Sequence, residues 1–537
     1  MKKGVKISLI VLGILLGIGI AVFIGADVIV SKYVTKKVHE ALAEMPVGEA
    51  SCGTVTVRLF SGTAAVEDIR FSYRGTPINR KDTIGPGSLI HIERIDIGRV
   101  FYSMLLQKEL LVLHIDVIRP EVELWMDEEH PELCFPTLPE DTTKDSTAFP
   151  LKRAALKFLR VKNASLALHS VRTKLDVVAD SCSISVQDLA YDSVFSYCDS
   201  LYSLRLAHAN VLTPDGRMRI EARDIEQSDQ GAFQLGEARI ANTMSKKRLG
   251  DIVKEPCTWI DMHIGRVSTS AFNPLRKAMA QDMTLDKIEA EVKRMDVFRD
   301  ERYQPKSPFP MPQKILMDIP VVFDIRHVDA KIHKIFIEFA STKTNIGKMQ
   351  LGHITANITN VTNRRGATMK VKGGCPIDKG KAKAGFEMTM NKDCQWGLQM
   401  HVEHVNTTLL DPFIRPLVGM TSECIIDTLD THYTGNSIQA DGTFRMLYHG
   451  LKVKVHKEDD IPYKIITKNA NTFTSLANTL LPKANPSSPG HRPNAFKITW
   501  KRNEWKPVPL YLFGPCIDGV KKTMLPGLYI HLQTKDK

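Results

Sequence analysis

Two neighbouring stretches decide the fold of this chain: IERIDIGRV, residues 92–100, and ELLVLHIDVIRPEVELW, residues 109–125. In the first, Ile95 and Ile97 alternate with charged residues and glycine. In the second, Leu111, Leu113, Ile115 and Val117 fall on one face, against Val112, His114, Asp116 and Ile118 on the other. Alternation over four to eight residues is typical of β-strands that have one apolar and one wetter face. After Pro120 the alternation resumes, which predicts a third, short strand. The same alternation of apolar residues occurs at residues 321–325, 335–339 and 354–358.

A second feature sets the location of the chain. Residues Ile7 to Ala26 are twenty uncharged, mostly apolar residues, and as a helix they would measure roughly 30 Å, the thickness of a bilayer core. A cleaved secretory signal is the alternative, but the run is longer than a signal's apolar region and lacks a clear cleavage site. Val30, Val34 and Val38 recur at i+4, so we expect the helix to continue to Met45.

The orientation of this anchor is nearly balanced by charge. Three lysines precede the run and three follow it, so the positive-inside rule gives little preference. A short N-terminal tail that stays inside while the long domain is exported is the simpler topology. We therefore expect one membrane anchor, with the N-terminus inside and the long body of the chain exported.

Composition and linkers divide the rest of the chain. Hydrophobic content of 43% and charged content of 25% are ordinary for globular domains. Stretches rich in Pro, Asp and Thr interrupt the alternation and read as connections. The predicted segments are an anchor with helical extension (1–45), an N-terminal β unit (46–126), a linker (127–150), a central β-rich region (151–300), a Pro-rich connection (301–314), a second β-groove region (315–460) and a basic C-terminal segment with helices (461–537).

Two further patterns lie inside these segments. The tetrapeptide Ile-Gly-Arg-Val occurs at 97–100 and again at 264–267, each time with an alternating strand before it, which indicates faint internal repetition. A helix is expected at 284–297, and a second at 471–481, where apolar residues fall on one stripe.

The C-terminal segment carries most of the excess charge. The whole chain has a formal charge of +12, and residues 461–537 contain twelve Lys and Arg against three acids. Aromatic and apolar residues interleaved with cations suit an anionic headgroup layer, although a solvated surface is the plainer interpretation. The membrane-surface candidates are Trp500, Lys501, Arg502, Trp505, Lys506, Tyr511, Phe513, Lys521 and Lys522.

Catalytic and metal-binding patterns are weak. The tetrapeptide His401-Val402-Glu403-His404 lacks the helical His-Glu-x-x-His spacing, and in a strand it places His401 and Glu403 on one face and His404 on the other. Neither a nucleophile elbow nor a phosphate loop occurs. We therefore expect no enzyme activity, no cofactor, no metal and no nucleic acid partner.

The stretch from Ile92 to Trp125 resembles the strand–loop–strand unit of AsmA-like proteins, relatives of the TamB-type modules. The crossover Ser103-Met104-Leu105-Leu106, the strand 110–117 and the closing piece 119–124 carry the resemblance. Residues 347–360 are similar to Bacteroidetes-type members. So are Asn478, Asn485-Pro486, Arg492, Lys501-Arg502 and residues 518–522 near the C-terminus.

The resemblance implies a single-pass inner-membrane protein whose bulk lies in the periplasm, on the assumption of a Gram-negative source. It implies a mainly β fold, with an N-terminal transmembrane helix, a long curved antiparallel β-sheet that forms a repeating groove, and a few short helices. It also implies that phospholipid is guided along the apolar groove in outer-membrane biogenesis or envelope maintenance. An outer membrane or an outer-membrane protein is the expected partner of the C-terminus. The lipid-groove candidates are Ile95, Ile97, Leu113, Ile115, Val117, Val122, Leu124, Val321, Phe323 and Ile325.

Two alternatives remain at this point. The first is a membrane-tethered scaffold whose sheets have ordinary closed cores and whose basic C-terminus binds a partner protein. The second is a hydrolase on an unfamiliar β scaffold, which would require convergent catalytic groups.

Overall fold

The computed structural model covers the chain with gaps. It describes residues 27–40, 42–43, 48–73, 87–101, 108–126, 153–170, 174–191, 195–196, 203–228, 231–270, 283–319, 322–341, 345–457, 468–488 and 490–524. These residues form two compact units that divide between Gly236 and Glu237. The protein is mainly β, as its alternation predicts.

Unit 1 begins with a helix, α1, over residues 27–40 and 42–43. This confirms the helical continuation there, and Val30, Val34 and Val38 are half-buried. The Ser31 and Thr35 hydroxyls donate to the Val57 and Val55 carbonyls at 3.2 and 3.1 Å. The predicted anchor itself, residues 7–26, lies outside the described residues. Among the described helices, none has both the length and the apolar character of a membrane span.

The strands of unit 1 are long and paired mostly with their neighbours in sequence. They are β1 (Glu49–Ser51), β2 (Val55–Arg58), β3 (Thr63–Tyr73), β4 (Ser88–Val100), β5 (Glu109–Met126), β6 (Arg153–Ser170), β7 (Asp176–Tyr191), β8 (Phe195–Ser196), β9 (Ser203–Leu212) and β10 (Met218–Gln227); β11 (Phe233–Asn242) contains the point of division.

Within unit 1, β3 to β7 pair in order, and then β7 pairs with β9 and β9 with β10. The pairing is antiparallel, as the predicted fold class has it, except that β5 and β6 are parallel. A parallel pair needs a long crossover, and the predicted linker at 127–150 lies between these two strands. The predicted third short strand is wrong as a separate element, since residues 120–125 belong to β5.

Unit 2 continues in the same style. Its strands are β12 (Cys257–Thr269), β13 (Met283–Asp300), β14 (Phe323–Ala340), β15 (Ile346–Thr362), β16 (Thr368–Ile377), β17 (Gly380–Thr389), β18 (Trp396–Asn406), β19 (Met420–Gly435), β20 (Gln439–Val455) and β21 (Ala495–Lys501). They pair in sequence order, all antiparallel except the parallel pair of β13 and β14.

The internal repetition extends well beyond one tetrapeptide. The strands β4 to β7 have 13, 18, 18 and 16 residues, and β12 to β15 have 13, 18, 18 and 17. In both sets the second and third strands are parallel. The Ile-Gly-Arg-Val tetrapeptides lie in β4 and β12, which are the first strands of the two sets.

Short helices accompany the strands of unit 2. They are α2 (Lys246–Val253), α3 (Pro312–Met317), a 3₁₀ turn (Thr407–Leu410), α4 (Asp411–Val418), α5 (Ala470–Leu480) and α6 (Val508–Met524). The helix predicted at 471–481 is confirmed as α5. The helix predicted at 284–297 is wrong, because those residues lie within β13.

A fully buried core lies where α6 covers β18 to β21. Tyr433, Phe444 and Ile498 from the strands are at most 1% exposed, and Tyr511 of α6 is 3% exposed. Burying one such side chain contributes about 1.5–3 kcal/mol. Helix α6 comes closest to the strands at Gly519, because a Cβ there would overlap the Phe444 ring.

Gly519→Ala should therefore destabilise unit 2 by about 1–3 kcal/mol through overpacking, measured as a lower unfolding midpoint. Gly385→Ala is the matched control, since a Cβ there meets nothing within 4 Å. Equal midpoints for the two variants would contradict the packing of α6 on Phe444.

Candidate functional site

The groove candidates of unit 1 share one face of the sheet. The cross-strand register aligns Ile97 with Ile115 and Ile95 with Val117, while Ile90 aligns with Val122. The same rows continue through β6 and β7. The aligned sets are Ile97, Ile115, Leu159 and Val186; Ile95, Val117, Val161, Ile184 and Leu204; Ile90, Val122, Leu166, Ala179, Ala209 and Ala222; and Leu124, Leu168, Val177, Val211 and Ile220.

A row of left-handed residues crosses this face. These residues lie between the row that contains Ile95 and the row that contains Ile90. Five strands each carry one non-glycine residue with φ of 47–54° there: Asp68, Arg119, Asn163, Ser181 and Asp224. Their neighbours pair with one another across the sheet, so they form one row, which we call the crease row. In β5 the apolar positions change from odd numbers before Arg119 to even numbers after it. An irregularity of this kind bends a strand, and here it keeps the apolar residues on one face.

This apolar face of unit 1 keeps contact with solvent. Most of its residues are half-buried, and Leu113, Leu166 and Ile220 are exposed. An ordinary two-layer core would bury such residues almost completely. The contrast with the core beneath α6, where most large side chains are fully buried, shows that the two regions are built differently.

Unit 2 has an apolar face with a different profile. One row consists of Ala290, Ala330, Ala356, Gly373 and Ala384, and aliphatic rows flank it. The flanking residues include Ile288, Val328, Ile358, Val371 and Phe386 on one side and Val292, Ile332 and Ile354 on the other. We call the row of small residues the alanine row. Small side chains between larger ones leave a shallow depression across five strands.

The remaining groove candidates lie at the beginning of β14. Phe323 and Ile325 share one face of that strand and are half-buried, with Ile325 paired to Leu285 and Val361. Val321 lies outside the described residues.

The C-terminal candidates divide between interior and surface. Tyr511 is buried, its ring lies 5.5 Å from that of Trp396, and burial raises its pKa to about 12. The Trp500 ring lies against Gly514 of α6, and the Arg502 guanidinium donates to the Phe309 and Ser437 carbonyls. Lys522 forms a shielded ion pair with Asp518 at 3.0 Å. These four therefore support the fold around α6.

Five candidates do reach solvent: Lys501, Trp505, Lys506, Phe513 and Lys521. Two exposed residues of α6 that we did not single out, Leu510 and Ile517, accompany them. The spacing 510, 513 and 517 already carries the helical signal, but the sequence alone does not tell which face of α6 packs against the sheet.

A cavity of 1520 Å³ lies on the opposite, polar face of unit 2. Its lining comes from the alanine row and from the rows one residue to either side, which include Glu289, Lys331 and Lys372. Successive side chains of a strand point to opposite faces, and the aliphatic rows do not line the cavity. This polar trough is therefore separate from the apolar face.

A charged cluster around His401 borders the polar trough. The His401 ring nitrogens lie 2.6 Å from Asp430 Oδ1 and 2.7 Å from Glu403 Oε1. His401 and Glu403 therefore share a face, as predicted. Hydrogen bonds that the His401 ring donates to the Glu403 and Asp430 carboxylates raise the pKa of His401. The hydrogen bonds of His401 and Lys381 hold the pKa of Glu403 at about 2. Every acid in this cluster already has a basic partner, with Arg445 donating to Asp430 at 2.9 Å.

The cluster is a network of ion pairs. Within the described ranges, no set of three or more His, Cys, Asp or Glu residues is arranged to hold a metal ion. Comparison with known proteins gives no further assignment: no family model, no curated protein and no solved structure matches this chain.

The His401 network should make stability depend on pH in a defined window. Glu403 favours folding above its unfolded pKa of 4.5. His401 has a raised pKa, so its contribution is complete below 6.5 and is lost as the pH rises through the folded value.

Glu403→Gln should therefore lower the thermal unfolding midpoint most between those limits and less in alkaline solution. Glu387→Gln, on the neighbouring strand β17, is the control. A destabilisation by Glu403→Gln that stays constant with pH would contradict the network.

Proposed function

We propose that this chain is an inner-membrane-anchored periplasmic protein that guides phospholipid along the apolar face of its sheet, without catalysis, in building or maintaining the outer membrane. The observation that carries the proposal is the apolar face of unit 1, which runs in register across successive strands, bends at the crease row and remains open to solvent. The likeness of residues 92–125 to AsmA-like units supports the same assignment.

The physical need for such a face follows from lipid chemistry. Exposing acyl chains to water costs about 0.8 kcal/mol per methylene, so two chains of ordinary length cost on the order of 20 kcal/mol. An apolar surface that accompanies the lipid removes most of this cost and requires no reactive group. Rows such as Ile95, Val117, Val161 and Ile184 provide that surface continuously from strand to strand.

The alanine row of unit 2 fits the same role. Its small side chains lie between two aliphatic rows, so an acyl chain could lie in the depression and contact aliphatic side chains on both sides. Ala384 is itself exposed, which leaves the depression open at β17.

The scaffold alternative is supported by the closed core beneath α6. The apolar face of β18 to β21 is closed by α6 and leaves no room for lipid there. A scaffold would need the same closure along both units, whereas the half-buried rows of unit 1 favour lipid contact.

Photo-crosslinking in intact cells tests the proposal directly. A benzophenone side chain at Ile115, Leu124 or Phe323 should capture phospholipid. Ile115 and Leu124 lie on the apolar face of unit 1, and Phe323 lies on the face of β14 that it shares with Ile325. The matched controls are His114, Glu123 and Asp324, one residue away on the opposite face.

Phospholipid at the first three positions and little at the controls is the expected result. No phospholipid at any of the three, or equal capture on both faces, would overturn the groove.

A further inference from the structure

The C-terminal helix α6 has two contrasting faces. One packs into the core through Tyr511, Cys516 and Gly519, all buried. The other carries Leu510, Phe513 and Ile517, which are 40%, 48% and 47% exposed. Their spacing of three and four residues places them on one stripe, and Lys521 continues it one turn further.

Two turns near the start of α6 carry further exposed apolar residues. Trp505, in the turn before α6, is 47% exposed. Ile438, in the turn between β19 and β20, is 69% exposed, and its carbonyl accepts a hydrogen bond from the Arg502 amide at 2.7 Å. Single exposed apolar residues are common, but a group of large ones on one helix and its flanking turns is typical of a binding surface.

The charges around this stripe are mostly positive. Within residues 504–524, Lys506 and Lys521 are the exposed basic residues and Glu504 is the exposed acid. The acid within α6, Asp518, is buried and paired with Lys522. An anionic partner is therefore favoured over a neutral one.

We propose that the exposed face of α6, together with Trp505 and Ile438, docks on a bilayer surface that contains anionic lipid. The apolar stripe enters the boundary between headgroups and acyl chains, as an interfacial helix does, while Lys506 and Lys521 lie at the headgroup level. The core anchors the opposite face of α6, so the stripe is held in place before binding and little ordering is needed. This docking does not depend on lipid transport along the sheet.

Vesicle flotation with the full chain held in nanodiscs tests the docking. Vesicles of phosphatidylcholine and phosphatidylglycerol in equal parts should carry the nanodiscs upward, and vesicles of phosphatidylcholine alone should carry far fewer. Brominated acyl chains in the vesicles should quench tryptophan fluorescence, and Trp505→Phe should remove most of that quenching.

Matched variants separate the stripe from general apolar exposure. The double variant Phe513→Ser and Ile517→Ser should lower vesicle capture roughly tenfold or more, because it removes two buried contacts at the interface. The control is Leu476→Ser with Leu480→Ser on α5, which are 49% and 59% exposed and should bind as the parent chain does. Lys506→Glu with Lys521→Glu should abolish the preference for anionic vesicles.

Several outcomes would overturn the docking: no capture by anionic vesicles, equal loss in both serine pairs, or quenching that survives Trp505→Phe. Capture of a protein without vesicles would assign the surface to a protein partner. Loss of docking with intact phospholipid crosslinking at Ile115 would leave the transport proposal standing, and the reverse result would leave the docking standing.

Discussion

The structure depends on one geometric constraint: each strand must keep its apolar side chains on the same face from end to end, although the strand bends. Strict alternation would achieve this only in a regular strand. In unit 1 the crease row meets the constraint with a left-handed residue at the same place in five strands. A left-handed non-glycine residue costs about 1–2 kcal/mol, so the pairing on both sides of the row must offset that cost. The continuous apolar face is the result.

This constraint also explains how much of the fold the sequence could predict. The alternation around Ile95 and Ile115 correctly predicts strands, because neighbouring strands support the local pattern. In β13 the apolar residues Ile288, Val292 and Met295 are spaced by four and three, which imitates a helix. The imitation arises from an irregular register near residues 293 and 294, opposite a register shift in β12. The change of phase at Arg119 similarly makes one long strand look like two.

The candidate site was predictable to a lesser degree. The groove residues of unit 1 do share a face. Alternation predicts this for Ile115 and Val117, but Val122 joins them only through the left-handed residue Arg119. The parallel pairs were not predictable from residue patterns, since two long strands joined by a linker can pair in either direction. The division of the C-terminal candidates into a buried set around Tyr511 and an exposed set around Phe513 depends on which face of α6 meets the sheet. That choice is made by tertiary packing, through the close approach of Gly519 to Phe444.

If the open apolar face of unit 1 holds lipid, the purified chain should carry bound phospholipid. Phospholipid per mole of protein would be measured by mass spectrometry for the parent chain, for Leu166→Glu on the apolar face, and for Arg205→Glu, whose side chain is 73% exposed on the polar face. We expect bound phospholipid in the parent and in Arg205→Glu, and a several-fold loss in Leu166→Glu. Equal phospholipid content in all three proteins, or none in the parent, would contradict this expectation.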